Sequence, residues 1–237
     1  MIVKERLIIK PSERVKLMKI NFLAADKNNF RLGRKEKIKY LVLHYTAGDS
    51  DTAKNNAKYF ANGARGASAH YFVDEKEIWQ SVREEDTAWH CGGKKYYHNE
   101  CRNDNSIGIE MCSYKDNNGY HIAQETEDRA ILLIRELMKK HNISAENVVR
   151  HYDVTHKNCP APLVEEAAWQ EFKRKLTEKQ TKSKEVFELT IDVKGAEVTV
   201  EAVNVDEVNF IRLRDLPKLA PEFKVEYDEV AKRPLIR

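Results

Sequence analysis

The chain has 237 residues, 41% of them hydrophobic and 33% charged, with a formal net charge of +3; this balance suits a soluble globular protein of one or two domains. No apolar stretch approaches the ~20 residues that span a bilayer, and the alternating start Met1–Lys10 lacks the unbroken apolar core of a signal peptide, so membrane insertion is excluded and synthesis in the cytoplasm is expected. Nucleic acid is not the expected partner either, because basic and acidic residues are interspersed and no basic helix, zinc-finger spacing or aromatic RNA-binding motif appears.

Taken in chain order, residues 1–36 read as an N-terminal extension packing on the domain at 37–176. Ile38–His44 reads as a buried strand, and Thr52–Ala61 places Ala53, Ala57 and Phe60 at helical spacing. Ala69–Val73 and Glu77–Val82 predict a hairpin with Asp74, Glu75 and Lys76 at the turn. Ser106–Cys112 is another strand. Thr126–His141 is the clearest helix, with Ala130, Ile131, Ile134, Leu137 and Met138 on one face. A last helix starts near Pro162, a favoured first-turn residue, and runs to about Leu176. Strands alternating with helices predict an α/β fold, a mixed central sheet flanked by helices.

Thr177–Glu185 holds no apolar residue and reads as a linker. Beyond it, 186–237 reads as a small β-rich C-terminal domain. Phe187–Val193 alternates strictly and meets Val198–Val203 across Lys194–Glu197, a hairpin pattern. Asn209–Leu213 adds a strand, 214–219 a short helical turn and Val225–Tyr227 a further strand. Residues 183–237 hold 9 Lys/Arg against 12 Asp/Glu and are net −3, leaving +6 on residues 1–182. A basic body favours approach to an anionic polymer, and bacterial cell wall suits that charge.

The chemistry-bearing residues lie at His44, which closes the apolar run Tyr40–Leu43, and in Arg150–Pro160, which contains His151, His156 and Cys159. Two imidazoles and one thiolate can fill three positions of a Zn²⁺ tetrahedron and leave the fourth to water, the layout of a catalytic site. A structural zinc wants four protein ligands, and no Cys-x-x-Cys pair is present. On chemistry alone His156 competes with His151 in the same loop. Glu110, after Ile107-Gly108-Ile109, is either a general base beside such a metal or a strand-end glutamate facing solvent. Lys157 either stabilises an oxyanion or is an exposed loop lysine. Trp89 and His90, in an exposed-looking loop before Cys91-Gly92-Gly93, suit a substrate groove wall, with core packing of Trp89 as the alternative. Tyr71 is as readily a core residue. Cysteines kept in a reducing cytoplasm stay free; a Cys91–Cys101 bridge after release is the alternative, and Cys112 reads as a buried small side chain.

Five stretches, Leu43–Ala47, Ser68–Asp74, Ala88–His90, Asn105–Glu110 and His151–Pro160, stand in the right order to carry a resemblance. From about Lys37 to Leu176 the chain resembles the zinc-dependent N-acetylmuramoyl-L-alanine amidases of the phage-lysozyme and peptidoglycan-recognition-protein superfamily, in the manner of endolysins from phages of Gram-positive bacteria. The resemblance implies that His44, His151 and Cys159 bind zinc and that His156 does not. It sets Glu110 on the catalytic glutamate and Lys157 on a lysine that supports the transition state. Some relatives carry a catalytic tyrosine where this chain has Ala69, so Glu110 is expected to be the base, with Tyr71 as a substitute candidate.

The implied activity is hydrolysis of the amide between N-acetylmuramic acid and L-alanine in peptidoglycan, by an endolysin that reaches the wall after release. A cytosolic amidase of recycled muropeptides and a non-catalytic recognition module are the alternatives; modules of the second kind commonly lose the cysteine ligand, which is present here. Residues 203–216 are similar to a small stalk-like domain of some Gram-positive surface proteins, which implies a wall-binding or homodimerising module.

Overall fold

The computed structural model describes residues 19–178 and, in the C-terminal part, residues 186–193, 196–205, 208–211, 218, 225–228 and 233–236. The chain divides into two compact units, one spanning Ser12–Glu178 and the other carrying Lys179–Arg237. The first unit is built from β1 (Ile20–Phe22), β2 (Phe30–Arg31), β3 (Tyr40–Tyr45), α1 (Ala53–Ala61), β4 (Tyr71–Val73), β5 (Ile78–Gln80), β6 (Thr87–Ala88), β7 (Ser106–Met111), β8 (Tyr114–Asp116), β9 (Gly119–His121), α2 (Gln124–His141), β10 (Val148–Arg150), α3 (His151–Thr155) and α4 (Glu166–Thr177).

Six of these strands form one mixed sheet in the order β1-β5-β4-β7-β3-β10. β4, β7, β3 and β10 run parallel, β5 is antiparallel to β4, and β1 is parallel to β5. The central strands β3 and β7 are covered on both faces, which is why both read as nearly continuous apolar runs. Their alternation still separates two sides. Leu41, Leu43, Ile107, Ile109 and Met111 pack with Ile131, Ile134 and Leu137 of α2 and with Trp169 and Phe172 of α4. Each large apolar side chain buried this way stabilises the fold by roughly 1.5–3 kcal/mol. On the other side, Tyr40 and Val42 meet Val149 and Val154, and Phe72 packs with Ala53 and Ala57 of α1.

Local chemistry fixes the joints. Asp74 Oδ2 accepts from the Ala53 N–H at 2.8 Å, while its Oδ1 accepts from the N–H groups of Lys76 and Glu77 at 2.7 and 2.8 Å. One carboxylate therefore caps α1 and closes the β4–β5 turn. Thr52 adds the side-chain cap to Asn55 N–H. α2 ends on Asn142, whose φ of 54° lies in the left-handed region, with Lys139, Lys140 and His141 in the last turn complementing the helix dipole.

Several boundaries differ from the sequence expectation. Residues 19–36 do more than pack as an extension: β1 joins the central sheet as an edge strand, and β2 pairs with β6. Residues 1–18 lie outside the described residues. The segment around Pro162 is a single 3₁₀ turn, Ala161–Leu163, and α4 begins only at Glu166 and continues through Thr177. The expected linker residues 179–185 lie outside the described residues.

In the second unit, β11 (Val186–Val193) pairs antiparallel with β12 (Ala196–Val205), Val193 opposite Ala196, and β12 pairs with β13 (Val208–Ile211). β14 (Val225–Asp228) pairs antiparallel with β15 (Arg233–Ile236). β11 ends at Val193 as expected, β12 begins inside the expected Lys194–Glu197 connection at Ala196, and β15 is a strand that the sequence pattern does not predict. The helical turn expected at 214–219 lies, apart from Lys218, outside the described residues. Among the described residues no helix is long and apolar enough to cross a membrane.

Candidate metal centre

The parallel register of the sheet builds the centre. His44, near the end of β3, lies directly opposite Glu110 of β7. On the other flank Arg150 of β10 lies opposite Leu43, so the next residue, His151, emerges beside His44 as the first residue of α3. The segment read from sequence as one loop is thus a short helix followed by a turn. Its start is locked by Arg150, only 5% exposed, whose backbone N–H donates to Asp153 Oδ2 at 2.7 Å and whose guanidinium donates to Asp153 Oδ1 and to the carbonyls of Leu163 and Val164. Its end is His156, with φ 58°. There the chain reverses, so that the Cys159 carbonyl accepts from the Tyr152 N–H at 2.8 Å.

This fold-back closes the cluster. The ligand atoms of His44, His151 and Cys159 all lie within 4.8 Å of one another, and all three residues are buried. Cys159 Sγ stands 3.7 Å from His44 Nδ1. His151 Nε2 lies 3.3 Å from the Gly92 carbonyl. A carbonyl only accepts, so Nε2 carries the proton and Nδ1 is a bare lone pair. That Nδ1 is buried with no hydrogen-bond partner. Such an atom costs about 1–3 kcal/mol, and a cation bonded to it removes the cost. Two imidazole nitrogens and a sulfur fit a metal held by three protein ligands. His156 is exposed and stacks on Tyr97 at 3.6 Å, outside this cluster.

The electrostatics favour the ligand forms of the histidines. Burial first, then the positive charges nearby, holds His44 well below the usual imidazole range and lowers His151 to about 4. Burial and the negative charge of Glu110 push the Cys159 thiol up to about 12; a coordinated cation reverses this and favours the thiolate. Glu110 is half-buried, and its Oε2 is sealed from solvent without a partner. Burial raises its carboxyl to about 8 against the opposing pull of Lys157. Lys157 is itself exposed, yet its charge is felt at His44, His151, Glu110 and Cys159 alike.

Two expected substrate contacts are corrected. Tyr71 lies on the opposite face of the sheet: strand alternation puts its neighbour Phe72 opposite Glu110, while Tyr71 is 2% exposed in the helix-facing core with its hydroxyl donating to Glu84 at 2.6 Å. It therefore lies away from the face that carries Glu110 and His44. His90 is not a groove wall either. It is buried against Gly108, with its Nδ1 3.1 Å from His44 Nε2 and its Nε2 3.1 Å from Ser106 Oγ. Trp89 is half-buried, its backbone N–H donating to Ser68 Oγ at 3.1 Å. Cys91 and Cys101 are both free and buried.

Arg150, Gly92 and Ser106 support the site in addition to the residues expected from sequence. For Ser106 a signal existed: Ser106-x-Gly108-x-Glu110 puts two small residues on the same strand face as the carboxylate, which leaves room for a ring to lie there.

Residues 34–162 match the family model described as N-acetylmuramoyl-L-alanine amidase. The chain is 39% identical over 145 residues to N-acetylmuramoyl-L-alanine amidase CwlL of Bacillus licheniformis, an alignment covering 55% of this chain and 38% of that protein. The chain therefore spans about two fifths of that relative's length. The catalytic domain of XlyA matches with a TM-score of 0.56 and 32% identity, over 66% of this chain and 98% of that domain. A mutant endolysin from Bacillus subtilis matches with a TM-score of 0.57 and 34% identity, over 67% of this chain and 99% of that one. The matched region contains His44, Glu110, His151 and Cys159 together, and the chain belongs to the N-acetylmuramoyl-L-alanine amidase family.

Proposed function

We propose that the first unit is a zinc-dependent N-acetylmuramoyl-L-alanine amidase that cleaves the amide between N-acetylmuramic acid and L-alanine in peptidoglycan, and that the chain acts as an endolysin on the cell wall after release from the cytoplasm. The observation that carries this reading is the buried trio His44, His151 and Cys159, with an unpartnered carboxylate one strand away, inside the region matched to the family. Two imidazoles and a thiolate suit Zn²⁺, which when bound supplies a Lewis acid that polarises a carbonyl and acidifies water.

The chain's own residues do the rest. Glu110 takes a proton from the attacking water and returns it to the leaving nitrogen of L-alanine. A carboxyl poised near neutrality suits both transfers, and its elevation comes from burial. Lys157 offsets the negative charge that develops on the carbonyl oxygen. The Gly92 carbonyl keeps the His151 ring turned with Nδ1 inward. The endolysin role draws on the Bacillus subtilis endolysin among the matched structures. The second unit is assigned to holding the chain on the wall or joining two copies.

The test is direct. The zinc-loaded chain is incubated with purified Gram-positive cell walls, and the products are identified by mass spectrometry. Stem peptides with a free L-alanine amino terminus and intact glycan strands are expected. Glycan scission, cleavage within the stem peptide, or no product from fully loaded protein would overturn the proposal.

A further inference from the structure

The proton positions behind His44 can be read from a single hydroxyl. Ser106 has one hydroxyl hydrogen, and the Arg102 carbonyl, 2.6 Å from its Oγ, can only accept it. Toward His90 the same oxygen must therefore accept, so His90 Nε2, 3.1 Å away, carries a hydrogen. A neutral imidazole protonated at Nε2 is bare at Nδ1. That bare Nδ1 lies 3.1 Å from His44 Nε2, which must then be the protonated nitrogen of His44. The other nitrogen of His44, Nδ1, is left as a lone pair, and it faces Cys159 Sγ at 3.7 Å.

We infer that Ser106 and His90 form a hydrogen-bond relay that fixes the tautomer of His44 and presents its Nδ1 to the metal, making His90 and Ser106 positioning residues. The inference rests on the metal-site reading above and adds two residues to it.

Burial makes the relay consequential. Ser106, His44 and His90 are 0, 2 and 8% exposed, so little water competes for these bonds. The opposite tautomer of His44 would set two lone pairs against each other 3.1 Å apart, leaving buried acceptors without donors. The sheet is shaped to admit the relay. A Cβ on Gly108 would stand 2.4 Å from His90 Cγ and 2.7 Å from its Nδ1, so the ring occupies space that only glycine leaves open. The backbone is pinned as well: the N–H groups of His90 and Cys91 both donate to Asn103 Oδ1, at 3.0 and 2.9 Å.

The same short segment serves the second imidazole. Gly92, two residues after His90, offers the carbonyl that fixes His151. One stretch, His90–Gly92, thus orients both ligand histidines from behind, one through a side chain and the other through the backbone. Partners of this kind set the tautomer and ring angle of metal-bound histidines.

The test uses the full chain and does not depend on hydrolysis. Long-range ¹H–¹⁵N NMR of the metal-free protein reads the His44 tautomer, chelator competition reads zinc affinity, and the visible spectrum of the Co²⁺-substituted protein reads ligand geometry. The wild type is expected to show His44 protonated at Nε2. His90→Ala should mix the two tautomers, weaken zinc binding by about 10–100-fold and alter the Co²⁺ spectrum. His90→Asn, which returns an acceptor oxygen near the Nδ1 position, should recover most of the affinity.

Wild-type His44 protonated at Nδ1 would overturn the relay. So would a His90→Ala protein with unchanged tautomer and zinc affinity while the wild type binds zinc normally; that result would leave the metal-site reading intact. A wild type that binds no zinc would sink the metal-site reading and the relay with it. If His90→Ala loses its cooperative thermal transition, Ser106→Ala, which removes a single oxygen, decides: tautomer mixing supports the relay, and an unchanged His44 refutes it.

Discussion

Replacing Glu110 by glutamine should stabilise the metal-free protein, and only above acidic pH. The carboxyl is raised from 4.5 to about 8 chiefly by burial. A group raised on folding contributes stability that is complete below its unfolded value and is lost as pH climbs to its folded value. The window is therefore pH 4.5 to about 8, with a slope of about 1.4 kcal/mol per pH unit. The whole interval corresponds to at most about 5 kcal/mol. Glu110 is only half-buried as a residue, with its sealed Oε2 carrying the burden, so solvent at the rest of the carboxyl reduces the expected gain to about 2–4 kcal/mol at pH 8.5 relative to pH 5. The assay is urea unfolding of both metal-free proteins from pH 5 to 9. Groups that do not feel the Glu110 charge cancel in the difference; the Cys159 thiol, which that charge helps push up, cancels only in part. At pH 5 the two neutral side chains should be nearly equivalent, and zinc should shrink the high-pH difference because a nearby cation favours the carboxylate. A difference that stays flat across this range would refute the reasoning, since it would mean the Glu110 carboxyl ionises in the fold as freely as in water.

Cys159→Ser should abolish stoichiometric zinc binding, measured by elemental analysis after gel filtration, while circular dichroism stays close to wild type. Gly108→Ala forces a methyl group toward the His90 ring; overpacking of this kind costs about 1–3 kcal/mol, and thermal unfolding should show that loss together with weaker zinc binding. Asp74→Ala leaves three backbone N–H groups without their acceptor and should lower stability by roughly 1–3 kcal/mol, with turnover of the remaining folded enzyme little changed. Deleting residues 183–237 should leave a cooperatively folding, zinc-binding protein, because the unit Ser12–Glu178 carries its own core; chelator competition and a thermal melt read both properties.

Long, strongly patterned elements were legible in the sequence. β3, β7 and α2 were read within a few residues of their bounds because each offers enough positions for its period to emerge. β1, β2, β6, β8 and β9 were not: at two or three residues each they lack the longer patterned flanks that make β4 and β5 legible as a hairpin. The helix at α3 was hidden for a different reason: five residues held by the Arg150–Asp153 pair have no amphipathic stripe to detect. Pro162 misled in the opposite direction, its preference for a first turn being satisfied by a 3₁₀ turn that ends before α4.

At the site, residue chemistry proposed the trio, but His44 and Cys159 are 115 positions apart and only their motif context linked them. Face assignment was where the reading failed. Tyr71 and Phe72 are adjacent, and sequence alone did not reveal which of the two shares a face with Glu110. The glycines after His90 suggest an exposed loop, yet Gly108, distant in sequence, leaves open the space that the buried ring occupies.

The parallel register of β10, β3 and β7 has a consequence for how such a chain can change length. His44, Glu110 and His151 are brought level by backbone pairing across three adjacent strands, so their alignment survives almost any exchange of neighbouring side chains that keeps those strands paired. A single inserted or deleted residue inside β3 or β7 would instead turn its functional side chain to the helix-covered face, because side chains alternate with a period of two. One residue gained between Arg150 and His151 would rotate the imidazole about 100° around α3. By this reasoning an inserted or deleted residue is tolerated best in the connections, such as the β8–β9 excursion and the stretch after α1. There the chain can grow or shrink while the trio stays in register.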